Sequence, residues 1–383
     1  MRFSKLATLG FAIVLTLAAF RAYQYPGYTT DEFLYMGNAV AMHGASIPEI
    51  HEAVYREVFA GVPRNIRDHL LGNDPVETSQ SRSFHQRAID AYNFAEFLPC
   101  FAVRPIFNEL VYIMHYWFGI GLLRATVLIS VVSYWFLGWM VLIWISRYVP
   151  SPWAALVSAL LLLTPPVWDL ARWPMPDALS CLVLLLALYL VLEKNYVAVG
   201  LTILLASVYI RTDNMLLVVT VLAYLSILNR TIEKTKAAAL AAIAVGSVFL
   251  INHFAGDYGA KLLYYRAFVG TPLAPGELVA RFGFHDYLAG LRNGLAVAMH
   301  GDFLAFVLMG VVGFLRRPSR GIWGLMAIAV VYSAGRFVIF PLVEDRYFAL
   351  FFVAMGIALA TVLVAPLAPT LRPAAARSES AEG

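Results

Sequence analysis

Two adjacent carboxylates, Asp31 and Glu32, stand just past the first long apolar run, in the segment TTDEFLYMGNAVAMHG. A carboxylate within hydrogen-bond reach of an attacking hydroxyl can take its proton, and carboxylate oxygens can also bind a divalent cation. Arginines and acids recur in the short polar stretches farther along: Arg104; Asp169, Arg172 and Asp177; Arg211 and Asp213; then Arg336, Glu344, Asp345 and Arg346. Arginine carries a planar fork of donors that matches the oxygens of a carboxylate or a phosphate. His43, His51, His69 and His85 are scattered without metal-ligand spacing. The two cysteines, Cys100 and Cys181, suggest neither a disulfide framework nor zinc. No metal or other cofactor is expected, since a divalent cation at Asp31 and Glu32 would rest on two ligands alone.

The elements that must position these groups are set by the solvent. The 383 residues are 61% hydrophobic and 14% charged, whereas a soluble domain averages about 45–50% apolar and about 25% charged. Apolar stretches of about 20 residues, the length that crosses a bilayer as a helix, recur from end to end. The chain therefore reads as an all-α, polytopic integral membrane protein, with one domain over 1–371 and a disordered tail over 372–383. Spans are expected at roughly 6–23, 122–146, 152–168, 177–193, 196–210, 214–228, 237–254, 296–315, 321–341 and 347–365, ten in all. The first is read as a span, since no small-x-small cleavage site follows it. Segment 24–104 is polar and is read as the first large loop, with amphipathic helices at IPEIHEAVYREVFAG and SFHQRAIDAYNFAEFL. Segment 106–119, interrupted by Asn108, Glu109 and His115, reads as an interfacial or re-entrant helix, and 255–295 as a second larger loop.

Charge tests this threading. Arg147, Lys194, Arg230 with Lys234 and Lys236, Arg316 with Arg317 and Arg320, and Arg372 with Arg377 all fall on the side of Arg2 and Lys5, the cytoplasmic side by the positive-inside rule. Counting 106–119 as a full span would reverse every later cluster. The basic residues thus signal topology, and a nucleic-acid partner is not implied. Asp31, Glu32, Asp169, Arg172, Asp177, Arg211, Asp213, Asp257, Lys261, Arg266, Glu277, Arg281, Arg336, Glu344, Asp345 and Arg346 collect on the opposite face. Plain roles are open to several of them. Asp177 after WPMP suits a helix start, Arg211 with Asp213 a local ion pair, and Arg346-Tyr347 a snorkelling cation beside an interfacial aromatic. Side-by-side carboxylates at a membrane exit repel one another, so Asp31 and Glu32 are harder to explain as scaffold.

In order along the chain, these features resemble the GT-C superfamily of membrane glycosyltransferases. The branch most resembled is that of the protein O-mannosyltransferases and the bacterial aminoarabinose transferases of lipid A. Asp31, Glu32, Tyr35, Ala39 and Gly44 fill the first-loop pattern; Arg104, Pro105, Gly119, Arg124 and Ser130 fill the basic-Pro, glycine-turn and helix-start pattern; MPDALSCLVLLLALYLVLEK and EDRYF resemble later core motifs. Ile106 and Phe107 replace the usual second proline and leucine, and a long insertion separates Gly44 from Arg104; both bear on the acceptor and the sugar.

The resemblance implies sugar transfer, with inversion, from a polyprenyl-phosphate donor to a hydroxyl of a glycan, lipid or protein on the extracytoplasmic face of a plasma (inner) membrane, both termini being cytoplasmic. A lipid-linked donor also fits the absence of a Gly-rich phosphate fingerprint. Asp31 would be the general base and Glu32 its catalytic neighbour. Arg104, then Arg211 and Arg346, would hold the phosphate, and Tyr35, Arg172, Asp177 and Asp213 would contact substrate. A secondary transporter or lipid flippase is the alternative, although the charges gather at one interface and no internal repeat is evident. A non-catalytic scaffold is a third class.

Overall fold

The computed structural model describes residues 5–257, 265, 272–273, 283–300, 302–316 and 318–364, and all its regular elements among these are helical. Lys261, Arg266, Glu277, Arg281, Arg317 and the tail with Arg372 and Arg377 lie outside the described residues. In chain order the helices are α1 (Lys5–Gln24), α2 (Thr30–Met42), α3 (Ile47–Gly61), α4 (Arg64–Leu70), α5 (Ser79–Ile89) and α6 (Ala91–Ala102). They continue with α7 (Pro105–Tyr116), α8 (Leu122–Ile145), α9 (Ser151–Leu162), α10 (Pro165–Arg172), α11 (Asp177–Leu192) and α12 (Val197–Ser207). The last six are α13 (Met215–Ala223), α14 (Lys234–Phe254), α15 (Phe284–His300), α16 (Asp302–Leu315), α17 (Arg320–Ile339) and α18 (Ala349–Leu359).

Five of these stretches are long and apolar enough to cross a membrane, and eight are if each of three sharply bent pairs counts as one span. Helices are what lipid allows, because every backbone donor and acceptor must find its partner inside the segment. Two of the three bends follow proline. Arg104 precedes Pro105 and cannot continue a helix, so α6 and α7 meet at 117°. Pro165 and Pro166 likewise part α9 from α10 at 69°. Two expectations need correction. SFHQRAIDAYNFAEFL is two helices, because Asp90 accepts from the amides of Tyr92 (2.9 Å) and Asn93 (3.3 Å) and so starts α6 afresh. The stretch 255–295 is not loop throughout, since α15 begins at Phe284.

Helix ends sort into two groups. At one end, Glu193 accepts from Trp144 Nε1 (3.1 Å) and from the Tyr148 hydroxyl (2.6 Å), lies 3.2 Å from Arg147, and Ser319 bonds Tyr148. That joins the ends of α8 and α11 to the start of α17. The opposite ends carry the polar module α2–α7.

Among the described residues there are two buried clusters. The larger lies among α1, α8 to α14, α17 and α18; α18 is central, with 83% of its apolar window buried, whereas α14 buries 17% and turns Phe249 and Phe254 outward. Exposed apolar rings on an edge helix belong against lipid. The smaller cluster binds the module to the bundle through Phe33, Tyr35, Phe94, Phe107 and Leu122. Here α3 buries Ile50, Val54 and Val58, a stripe at four-residue spacing, and a Ser46–Glu49 capping box starts it.

Candidate functional site: an arginine–carboxylate layer

The site is assembled at helix ends where proline or a short turn stops the chain. On α2, Asp31 and Tyr35 lie four residues apart and so share a face. The Asp31 carboxylate is 3.5 Å from Arg346, which also lies 2.6 Å from Glu344 and donates to the Tyr347 hydroxyl at 3.2 Å. Arg346 additionally touches the sulfur of Met175. Met175 is held in the Pro-rich turn before α11 by Ser130, whose hydroxyl receives the Met175 amide at 3.1 Å and reaches its carbonyl at 3.0 Å.

Arg104 occupies the corner between α6 and α7. It donates to the Tyr35 hydroxyl and lies 5.3 Å from the Tyr35 ring and 5.4 Å from the Phe101 ring. Among the described residues it has no carboxylate partner at ion-pair distance. Tyr35 is buried, which pushes its hydroxyl up to about 12; Arg104, Arg211 and Arg346 pull the other way, and Asp31 adds to the rise. One hydroxyl therefore feels four of the residues singled out in the sequence.

Behind this lies a second set. Arg211, in the turn after α12, is buried; it forks onto Asp213 at 3.0 and 2.9 Å and bonds Asp177, the first residue of α11. Asp213 also meets Arg336 of α17 at 3.1 Å. The Tyr347 ring is the hub, with guanidinium carbons of Arg336, Arg346 and Arg211 at 4.3, 4.8 and 5.6 Å from its centroid. A cavity of about 20 Å³ between Arg211 and Arg346, bordered by Asn214 and Tyr332, has room for about one water. Arg336 is buried, and its Nη1 has no hydrogen-bond partner.

Two expected residues stand elsewhere. Glu32 does not share the Asp31 face, because neighbours on a helix diverge by about 100°. It is fully buried against α8, with Oε1 2.6 Å from the Thr126 hydroxyl and Oε2 without a partner. Burial pushes its carboxyl up to about 8, while bonds to Thr126 and to the backbone at Thr29, and the charge of Arg124, act downward. Thr126 also lies 2.8 Å from the Leu123 carbonyl. The Thr126 hydroxyl donates to Glu32 Oε1, which is why this bond acts downward on the carboxyl. Glu32 is thus a tie between α2 and α8, and the Asp31–Glu32 pair does not chelate. Arg172 is also displaced: it lies 3.4 Å from Asp169 with its side chain 43% exposed. Asp31, Tyr35, Arg104, Asp177, Arg211, Asp213 and Arg346 do come together.

Sequence reasoning did not assign Arg336, Glu344, Tyr347, Met175 and Thr126 to the site. Arg336 carried a usable signal, an arginine within the apolar run VVYSAGRFVIF. Among the described residues no group of three or more His, Cys, Asp or Glu could hold a metal. Chemically, the layer offers one partly accessible carboxylate, a guanidinium without a carboxylate, and a second guanidinium with a spare donor. No family model, curated protein or solved structure matches the chain, so the functional reading depends on this chemistry.

Proposed function

We propose that the protein is a membrane glycosyltransferase that moves a sugar from a polyprenyl-phosphate donor to an acceptor hydroxyl on the extracytoplasmic side. The observation that carries this reading is the pairing of roles in one layer: Asp31 beside Arg346, with Arg104 and Arg336 keeping donors unspent on carboxylates. Arg104, Arg336 and Arg346 hold the donor phosphate. Arg211, committed to Asp177 and Asp213, keeps the layer in shape.

The acceptor oxygen attacks the anomeric carbon from the face opposite the phosphate, and its proton passes to Asp31. The bond from that carbon to the phosphate oxygen breaks, and the electron pair leaves on polyprenyl phosphate. The transition state has oxocarbenium character. Charge growing on the leaving phosphate is stabilised by fixed guanidinium donors in a site poor in water. Configuration inverts, and Asp31 afterwards releases its proton to water.

Two features support a lipid-linked donor. A cavity of about 550 Å³ opens among α15 to α18, and Ser333 is its only polar lining side chain. Along α17 it extends from Met326 to Phe337, about 16 Å at the helical rise, and so reaches the helical turn that carries Arg336. It suits part of an isoprenoid tail with the phosphate at the guanidinium end. The second feature is sidedness. Ten spans result if the bent pairs 151–172 and 284–315, the three shorter apolar helices and the five long ones each cross, while α6 and α7 stay with the module. The basic loop residues then face the cytoplasm with both termini, and the arginine–carboxylate layer faces out. The GT-C resemblance agrees with this arrangement.

The test is label transfer from a panel of polyprenyl-phosphate sugars by the protein in nanodiscs, supplied with envelope glycan, lipid and protein fractions as acceptors. The expected result is transfer by wild type and a loss of about 10²-fold or more in Asp31→Asn, the scale of a general base, with unfolding temperature retained. Equal rates would remove Asp31 as the base. Wild-type protein inert toward every donor would overturn the transferase assignment.

A further inference from the structure

The polar module holds a second cavity, which the proposed reaction leaves unexplained. It measures about 500 Å³ and lies between the α4–α5 turn, the faces of α5 and α6, and residue 273. Its lining side chains are Asn73, Glu77, Arg82, His85, Gln86 and Asn93, with Gly72 and Leu273 completing the wall. The walls are tied across the chain. Ser83 donates to the Pro272 carbonyl at 2.8 Å and the Asn93 amide donates to the Leu273 carbonyl at 3.2 Å. Gly72 has a φ of +75°, and a Cβ there would come within 2.1 Å of the Ser81 carbonyl oxygen, so only glycine lets the α4–α5 turn lie this close to α5. The Asn93 Oδ1 is buried and has no partner.

We infer that this cavity binds a short neutral oligosaccharide. Three carboxamides and an imidazole present donors and acceptors in mixed order, as a polyhydroxylated ligand requires. The one acid and the one arginine lie 3.5 Å apart as a pair, so the wall has no net charge to select an anion or a cation. Among the described lining residues the His85 imidazole is the only ring, which offers a nucleobase little to stack on. Leu273 alone offers apolar contact, too little for a peptide's anchoring side chains. The orphaned Asn93 oxygen is placed to accept from a sugar hydroxyl. The cavity size falls within the range of ligand pockets, with room for more than one hexose ring. Where the chain transfers a sugar, this pocket holds the acceptor glycan at a distance from the reacting hydroxyl; that addition rests on the transferase reading, whereas the binding itself does not.

The pocket shares no residue with the Asp31 layer, so the two readings fail separately. Wild type, Asn73→Ala/Gln86→Ala and Asp31→Asn, each as full chain in nanodiscs free of sugar-headed detergent, are titrated calorimetrically with neutral linear oligosaccharides of two to four hexoses. Sialylated and sulfated sugars and a polar peptide serve as comparators. The expected result is binding of at least one neutral sugar, weakened tenfold or more in the double variant and unchanged in Asp31→Asn. Asn73 and Gln86 are exposed, so the double variant keeps the wild-type unfolding temperature. Failure of every neutral sugar to bind, equal affinity in the double variant, or binding confined to the anionic sugars or the peptide would each overturn the inference.

Discussion

Replacing Glu32 by Gln separates the shape of a buried group from its charge. The folded chain holds the Glu32 carboxyl at about 8 against an ordinary 4.5, chiefly because burial penalises the carboxylate. Below pH 4.5 the group is protonated in both folded and unfolded chains, and the shift costs nothing. As pH rises from there toward 8, the unfolded chain releases a proton that the folded chain retains, so stability falls across that window and levels off above it. Each unit is worth about 1.4 kcal/mol, which makes about 4 kcal/mol between pH 4.5 and 7.5. With an unfolding entropy of about 2 cal/mol/K per residue over 383 residues, that corresponds to roughly 5 °C. Glutamine keeps an oxygen that accepts from the Thr126 hydroxyl and cannot ionise. Glu32→Gln should therefore match wild type near pH 4.5 and unfold roughly 5 °C higher at pH 7.5. The measurement is tryptophan-fluorescence melting in nanodiscs from pH 4.5 to 8.5. Parallel melting curves for the two proteins across this range would refute the assignment of Glu32 as a neutral tie between α2 and α8.

Arg104→Gln should lower kcat/KM for a polyprenyl-phosphate sugar by about 10²-fold, the scale of one lost oxyanion donor, without moving the melting temperature. Arg104→Lys should recover little, because lysine lacks the fork that meets phosphate and Tyr35 together. Arg211→Ala should instead cost folded protein, about 3–5 kcal/mol, since it strands Asp177 in a buried layer and leaves Asp213 to Arg336 alone; size-exclusion yield and melting report it. Val330→Trp should fill the apolar groove, raising KM severalfold for a long-chain donor and leaving a short-chain donor unaffected in kinetic assays.

Much of the architecture was legible because lipid imposes simple demands. Apolar runs had to be helices, and Arg104-Pro105 had to interrupt one; the break at Thr164-Pro165-Pro166, by contrast, lies inside the stretch 152–168 that reads as one span. Asp31, Arg104, Arg211 and Arg346 could be grouped before any coordinates, because alternate loops of a threaded bundle meet on one face. Adjacency was the weak guide. Asp31 and Glu32 are neighbours in sequence and opposites on α2, and Thr126, which receives Glu32, lies 94 positions away. No local pattern announces such a partner. Asp177 and the Arg211–Asp213 pair, each open to a plain local role, share one network across α11 and the turn after α12. The break at Asp90 was obscured by a continuous run of helix-compatible residues on both sides. Arg336 was grouped with the outer-face charges but given no role, because nothing local marks its partner; its side chain is 5% exposed and reaches Asp213.

The charge balance of the layer suggests why its parts are divided as they are. Among the described residues, Asp31, Asp177, Asp213 and Glu344 face Arg104, Arg211, Arg336 and Arg346, four against four. Isolated charges taken from water are costly, so an empty site of this composition can fold. A donor phosphate adds an anion to a balanced layer. Arg104 meets it most readily, having only a tyrosine hydroxyl to give up. The Asp177–Arg211–Asp213 set is buried and forked, and yields nothing. Arg346 is the arginine that the phosphate and Asp31 both claim, and at 3.5 Å its contact with Asp31 is longer than its 2.6 Å contact with Glu344. In the proposed transfer, Arg346 is therefore the cation that the arriving phosphate draws from Asp31 more readily than from Glu344.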